Sequence, residues 1–449
     1  MQKQAEANEE RKHTMKLTSK ILILAALIIL TVLPSYAETG KSLDMTEAIE
    51  LTLKNNSELR SIREEALKAD AFKLQADGTL LPSITLYGSI DEQKENQTTD
   101  GSSRYDSREA GATLEQIIYS GGKNSAMRRQ SGELRTIAAM KIADKENRTI
   151  GELFARFYNV LLQKERIKAE ESAVKTSKLH KRQTEKMCEL GLANRLEFIR
   201  AGQQLESDIA KLTEANGLYE AAVISLMNYM AIPPERRREV IGALEAPKAE
   251  GTRSASLELA NNNRPDLKQL EEECNYQKNQ IEIENSSIRP KVALGLSAGY
   301  LSPYLKSDTN GDTWRAELSV NIPVFDRNVA RSGVIKEEAV LSQNMIALEQ
   351  KKLDIKSEVE TSWTEIETTL HRLEASSAAL ELAEESLRLA EVGYREGVTP
   401  QLDLLTAQSS LTSSRLDYLS SKYDHLMTIV ALKVTEGTII KWAGERNSK

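Results

Sequence analysis

Aromatic side chains are scarce in this chain: they make up 5% of its 449 residues, against 28% charged. Ala, Leu, Glu, Lys, Ser and Arg fill much of the rest. That mixture suits long solvated helices better than a thick globular core. Cysteine is nearly absent. Cys188 and Cys274 stand far apart in helix-like text, with no CxxC and no Cys/His cluster, so neither a disulfide scaffold nor a zinc site is indicated. Four scattered histidines give no metal-ligand pattern, and no cofactor is expected. The net charge is −7, without the basic block that a phosphate backbone requires, which argues against nucleic acid as a partner. A Gly-rich phosphate loop, GxSxG and HExxH are all missing. The many Glu and Lys residues fall at helical spacing, as solvated faces with i,i+4 pairs do. Catalysis is not expected.

Long apolar runs are missing after Leu33. Before it, Lys16 and Lys20 precede an apolar stretch from Ile21 to Leu33, followed by Pro34-Ser35-Tyr36-Ala37. A basic start, a short apolar core and small residues at the −3 and −1 positions read as a secretory signal over 1–37, cleaved after Ala37, with Met15 as an alternative start. The stretch of about 13 residues falls short of the roughly 20 that a spanning helix needs. No cysteine follows it to carry a lipid. A mature chain of this kind enters a membrane only as a β-barrel.

What is present is a duplication. Asn55-Asn56-Ser57-Glu58-Leu59 recurs as Asn263-Arg264-Pro265-Asp266-Leu267, and Leu80-Leu81-Pro82 as Ile288-Arg289-Pro290, both at a shift of 208 positions (57 to 265). From Ile117-Ile118-Tyr119 onto Pro323-Val324-Phe325 the shift becomes 206 (119 to 325) and holds, carrying Gly191 onto Gly397 and Leu226 onto Leu432. The expected layout is a first repeat over 38–232, a linker at 233–253, a second repeat over 254–435 and a C-terminal tail at 436–449. Each repeat reads as a short helix, a second helix (57–80, then 265–288), two strands joined by a polar loop (93–107, then 302–312), a helix of about 65 residues, a glycine turn and a return helix of about 35.

The strands alternate. Val292, Leu294, Leu296, Ala298 and Tyr300 share one face and Ala293, Gly295, Ser297 and Gly299 the other; Trp314, Ala316, Leu318 and Val320 oppose Arg315, Glu317 and Ser319. Runs of about ten residues, apolar outward and polar or small inward, fit a lipid-facing barrel wall. In the first repeat Ile84, Leu86 and Ile90 alternate, but Gly88, Arg108 and Gln116 dilute the face. Four strands cannot close a membrane barrel, which takes at least eight, so several chains must share one. The long helices carry heptad spacing, with Val359, Trp363, Ile366, Leu370 and Leu373 in one and Leu416, Leu419, Tyr423, Leu426 and Val430 in its return. A simple antiparallel coiled-coil hairpin, as in a periplasmic adaptor or tethering protein, has the same spacing and remains an alternative.

Around the second helix turn the text runs Tyr394-Arg395-Glu396-Gly397-Val398-Thr399-Pro400-Gln401-Leu402-Asp403-Leu404-Leu405. With its counterpart from Met187 to Glu197, and with Leu114 to Gly122 and Val320 to Asp326 at the strand-to-helix joints, it resembles the TolC family of outer-membrane efflux and type I secretion channels. The resemblance covers roughly 43–435. It implies a mainly α chain with a β-barrel portion: a homotrimer whose twelve strands form one outer-membrane barrel in lipid and whose helical hairpins form a periplasmic tunnel. It also implies a periplasmic adaptor and an inner-membrane transporter as partners. Adaptor docking then falls on Gly191, Leu192, Gly397, Val398 and Thr399, and an entrance gate with an acidic ring on Glu197, Asp403 and Tyr394. Thr399 stands where the family pattern expects a basic partner, and Thr406 where it expects a second acid. Both glycines also suit ordinary helix C-caps, and both acids suit a helix N-terminus.

Overall fold

The computed structural model describes residues 42–97, 101–245, 247–304 and 311–447; the signal segment expected at 1–37 lies outside the described residues. The first repeat contains α1 (Met45–Asn55), α2 (Ser57–Gly78), β1 (Ser83–Gln97), β2 (Gly101–Ser120), α3 (Lys123–Glu189) and α4 (Arg195–Tyr229). The second contains α5 (Arg253–Asn263), α6 (Pro265–Asn285), β3 (Lys291–Tyr304), β4 (Gly311–Asn321), α7 (Val329–Arg395) and α8 (Gln401–Thr435), and α9 (Ile439–Asn447) follows. Counterpart helices match in length: 11 residues in α1 and α5, 67 in α3 and α7, 35 in α4 and α8. Helix starts shift by 208 positions before the strands and by 206 after them. At a rise of about 1.5 Å per residue, α3 and α7 are each on the order of 100 Å long.

Proline and asparagine set the joints. Asn56 separates α1 from α2; its side-chain oxygen accepts from the amides of Glu58 (3.0 Å) and Leu59 (3.2 Å), an N-cap. In the second repeat Arg264 occupies that place and Pro265 opens α6 at the position where a missing N–H costs nothing. Helices α2 and α6 stop slightly short of the expected 80 and 288, and Ser286–Ile288 closes α6 as a 3₁₀ turn.

The four strands form one antiparallel sheet in the order β1-β2-β3-β4. Its register sets Ile84 opposite Leu114, Leu114 opposite Leu296 and Leu296 opposite Ala316, while Val292 faces Val320 and Leu294 faces Leu318. One face is therefore mainly apolar across the four strands, interrupted on β2 by Gln116 opposite Leu294 and Arg108 opposite Ile90. The other carries Glu109, Glu115, Arg315 and Glu317, and there the Tyr87 hydroxyl donates to Glu109 Oε1 at 2.8 Å. The polar loops expected at 93–107 and 302–312 are shorter than expected. Pairing runs on to Gln97↔Gly101, and β3 extends to Tyr304 with β4 resuming at Gly311. Antiparallel ladders bond through main-chain groups that every non-proline residue has, so polar side chains do not end them.

Below the sheet, α3 packs between α2 and α6, with Arg128 on Asp77 (2.9 Å) and Gln130 donating to Gln280 (2.8 Å). Farther along, α3 passes between α4 and α8: Ser177 bonds Asp208 on α4, and the Tyr423 hydroxyl of α8 donates to the Ala155 carbonyl at 3.1 Å. Helix α7 packs on α6 and then α8. The layer thus keeps one order throughout its height: first-repeat elements on one side, second-repeat elements on the other, with β1, α2 and α4 along one edge and β4 and α7 along the opposite edge.

The largest hydrophobic core of the described residues sits where the two helix systems meet. Phe154, Phe157, Leu226 and Met230 are buried there with Leu43 and Val240, which pair as a short parallel bridge. The segment expected to be a tail, 436–449, contains α9 instead. Ile439 and Ala443 are buried in the same core, and the Trp442 ring packs against Phe154, tilted by 39° with centroids 5.5 Å apart. Among the described residues no helix is long and apolar enough to cross a membrane.

Candidate functional site: the hairpin tips

Both long hairpins turn with the same backbone. Gly191 has φ +71° and Gly397 φ +73°, a left-handed conformation that costs an L-residue about 1–2 kcal/mol. Leu192 N–H donates to Met187 O (2.8 Å) and Gly191 N–H to Cys188 O (3.1 Å); Val398 N–H donates to Gly393 O (2.8 Å) and Gly397 N–H to Tyr394 O (3.1 Å). These are the paired bonds of a Schellman cap. A Cβ on either glycine would meet open space, so dihedral angle, not crowding, requires glycine there. Beyond the glycines, Leu192 and Val398 are strongly exposed, at 71% and 82%. Thr399 is different: its side chain folds back over Gly393, which has no room for a Cβ.

The residues after each turn diverge. Asn194 caps α4, its oxygen accepting from Glu197 N–H at 2.9 Å while its amide donates to Glu197 Oε1 at 3.0 Å. The reciprocal arrangement is a relative of the capping box, and it commits the Glu197 carboxylate to its own helix start. Helix α8 has Pro400 at its N-cap and no side-chain cap; Asp403, exposed in its first turn, faces solvent beside the positive helix end. Glu197 and Asp403 are sequence counterparts with different surroundings.

Tyr394 joins Glu197 rather than Asp403. Its ring meets His180 of α3 edge to face at 5.5 Å. Burial, with the Glu197 carboxylate adding to it, raises the Tyr394 pKa. The hydroxyl is enclosed beside Thr184 and Glu197 but makes no hydrogen bond of ordinary geometry. Gln401, at the first turn of α8, donates to the Glu197 carbonyl (2.8 Å) and sits 3.3 Å from His180 Nε2. One cluster therefore draws on all four helices of the two hairpins: His180 and Thr184 from α3, Glu197 from α4, Tyr394 from α7 and Gln401 from α8. Sequence reasoning reached Tyr394 and Glu197 but missed His180, Thr184 and Gln401. The only sequence signal was a histidine about two and a half turns before the end of α3 and a glutamine at the first position of α8.

Comparison with known proteins places this architecture. A family model described as outer membrane efflux protein matches residues 48–231 and again 256–438, once per repeat. The alkaline protease secretion protein AprF of Pseudomonas aeruginosa is 25% identical over 194 residues, an alignment spanning 43% of this chain and 40%, less than half, of that relative. The chain shares its fold with the CmeC outer membrane channel of Campylobacter jejuni (TM-score 0.77, 17% identity, 90% of each chain). It shares it equally with the outer membrane protein VceC of Vibrio cholerae (TM-score 0.75, 17% identity, 88% of this chain and 96% of that one). Both repeats carry the match and nearly the whole length carries the fold: this chain belongs to the outer membrane efflux protein family.

Proposed function

We propose that copies of this chain close side by side into an outer-membrane exit duct that passively conducts substrate of an efflux or secretion system from the periplasm to the exterior. The observation that carries this reading is the pair of open edges. Among the described residues, strands β1 and β4 each leave a row of main-chain groups without a partner strand, which lipid does not tolerate. Below them the edge helices expose large apolar side chains: Leu67 and Leu74 on α2, Ile199 and Ile224 on α4, Ile346 and Leu382 on α7. Joining one copy's β1–α2–α4 edge to the next copy's β4–α7 edge covers both. Three copies supply twelve strands, and the apolar sheet face then meets lipid while the Glu- and Arg-bearing face lines a wet lumen.

At the far end, the tips at Gly191, Leu192, Gly397 and Val398 present a small apolar patch on a rigid turn to a periplasmic adaptor bound to an inner-membrane transporter; Thr399, folded back, braces the turn instead. Asp403 of each copy forms the acidic ring of the entrance, and Tyr394 and Glu197 belong to the contact that holds the hairpins together. Fractionation tests the reading as a whole. A heat-modifiable oligomer in outer-membrane fractions supports it, and a soluble periplasmic monomer, the behaviour of a free coiled-coil adaptor, contradicts it.

A further inference from the structure

His180 is buried, with 4% of its surface exposed, at the place where the two hairpins of one chain touch near their tips. Its Nε2 faces the Gln401 side-chain nitrogen at 3.3 Å. The same nitrogen donates to the Glu197 main-chain carbonyl at 2.8 Å. That second bond fixes the amide: turned over, its oxygen would meet another oxygen. With the amide so fixed, Gln401 offers an N–H to the ring, and His180 must be neutral with Nε2 as the acceptor.

A protonated ring carries N–H on both nitrogens. Its Nε2–H would then oppose the Gln401 N–H, donor against donor. Flipping the amide satisfies the ring and breaks the bond to Glu197. Either arrangement forfeits a hydrogen bond inside an enclosed site, where the Gln401 oxygen and the Tyr394 hydroxyl already lack partners. The other groups facing the ring do not relieve this. From α4 comes Glu197, whose carboxylate is held by Asn194 at the start of its own helix and is not among the causes acting on the ring. From α7 comes the Tyr394 ring, inclined at 66° to the imidazole, which carries no negative charge to pair with it. From α8 the nearest acid is Asp403, which is exposed. Thr184, on the ring's own helix, donates to the His180 carbonyl (3.0 Å). Burial is the one cause acting on the ring, and it pushes the pKa down.

We propose that His180 and Gln401 form a proton-sensitive latch that ties the two hairpins of each chain together at the entrance, and that protonation of His180 releases the tie and favours the open duct. The latch rests on the duct reading above. It acts on the resting, closed state: neutral His180 keeps the four helices joined, and acid loosens them where an outward movement of either hairpin widens the entrance. The sign follows from the depressed pKa. The tied state binds fewer protons than the released one, so it loses ground as pH falls below the ordinary histidine value of about 6.5. The loss stops growing once pH passes the lowered value.

The test is conductance of the purified assembly in planar bilayers at pH 7.5 and 5.5. Wild type is expected to leak more at pH 5.5, with a change in open fraction of up to about tenfold per latch, since pH 5.5 lies about one unit below the free histidine value. His180→Gln, which bonds but does not titrate, is expected to be flat over this range. Gln401→Glu is expected to invert the response: its carboxylate opposes the Glu197 carbonyl at pH 7.5, leaking there, and accepts from the charged ring at pH 5.5, tightening. His425, the other buried histidine of the wall, bonds Thr369 (3.0 Å), and His425→Gln is expected to keep the wild-type response. A wild-type conductance independent of pH, or a response that survives His180→Gln or vanishes in His425→Gln, overturns the latch while leaving the duct standing. A wild-type assembly that conducts at neither pH overturns the duct itself.

Discussion

A single dihedral angle decides the shape of each tip. At Gly397, φ is +73° with open space around the α-carbon, so Gly397→Ala should cost about 1–2 kcal/mol through strain alone, and Gly397→Asn less, since asparagine tolerates the left-handed region. Thermal unfolding of the purified assembly would order the three as glycine, asparagine, alanine. Asp403 carries a different expectation. If its carboxylates ring the entrance, they attract cations, and Asp403→Asn should reduce cation preference in reversal-potential measurements; unchanged selectivity would remove the ring. At this scale the sequence showed the glycines and acids plainly, because turn chemistry is local. It did not show that Glu197 is tied to Asn194 while Asp403 is not, since the difference lies in the residues preceding each helix, Asn194 against Pro400. Nor did it show His180 against Gln401, a contact across 221 positions.

Elements depend on patterns that repeat. The alternation in β3 and β4 identified the apolar face residue by residue, and the ladder extends it to β1 and β2. Leu318→Arg, on the apolar face, should therefore destabilise the assembly by about 2–4 kcal/mol if it sits near the bilayer midplane, while Ser319→Arg, one residue on, should be tolerated. Yield of folded oligomer in the outer membrane reads the difference. The heptads were legible only in part. Val359 and Ile366 are buried as their spacing predicts, but Leu370, on the same edge helix, is 40% exposed. Periodicity marks an apolar stripe without saying whether its partner lies in the same chain.

One element junction has an electrostatic core that sequence periodicity could not reveal. Arg264 bonds Asp266 through two nitrogens (3.0 and 2.7 Å) and reaches Glu358 of α7, while Lys351 meets Asp266 at 2.7 Å. Burial alone would raise the Asp266 carboxyl, but hydrogen bonds from Arg264 and Lys351 outweigh it and hold it well below the usual carboxylate range. Its contribution is therefore complete above the unfolded value of about 3.9 and is lost as pH falls below it. Asp266→Asn should lower the melting temperature at pH 6 but narrow the gap to wild type near pH 3. Removing the partner instead, in Arg264→Met, leaves the half-buried Asp266 carboxylate with Lys351 alone and should cost less than the roughly 3–5 kcal/mol of a fully unpaired buried charge.

At the scale of the whole molecule, the duplication was the most legible feature, since matched prolines and glycines hold register over hundreds of residues, and each half aligns separately with the family. The C-terminal helix α9 was not legible, because its burial depends on Phe154 and Leu43, distant in sequence. Closure follows from what the chain leaves open. The four strands of the described residues, with two free edges above helices that expose leucine and isoleucine, have no stable place as a monomer in lipid. The central claim is that three chains share one duct, and native mass measurement of the particle extracted from outer membranes tests it most directly. The account predicts a mass of three mature chains with no monomer at equilibrium; a monomeric particle, or a closed ring of any other number, would contradict it.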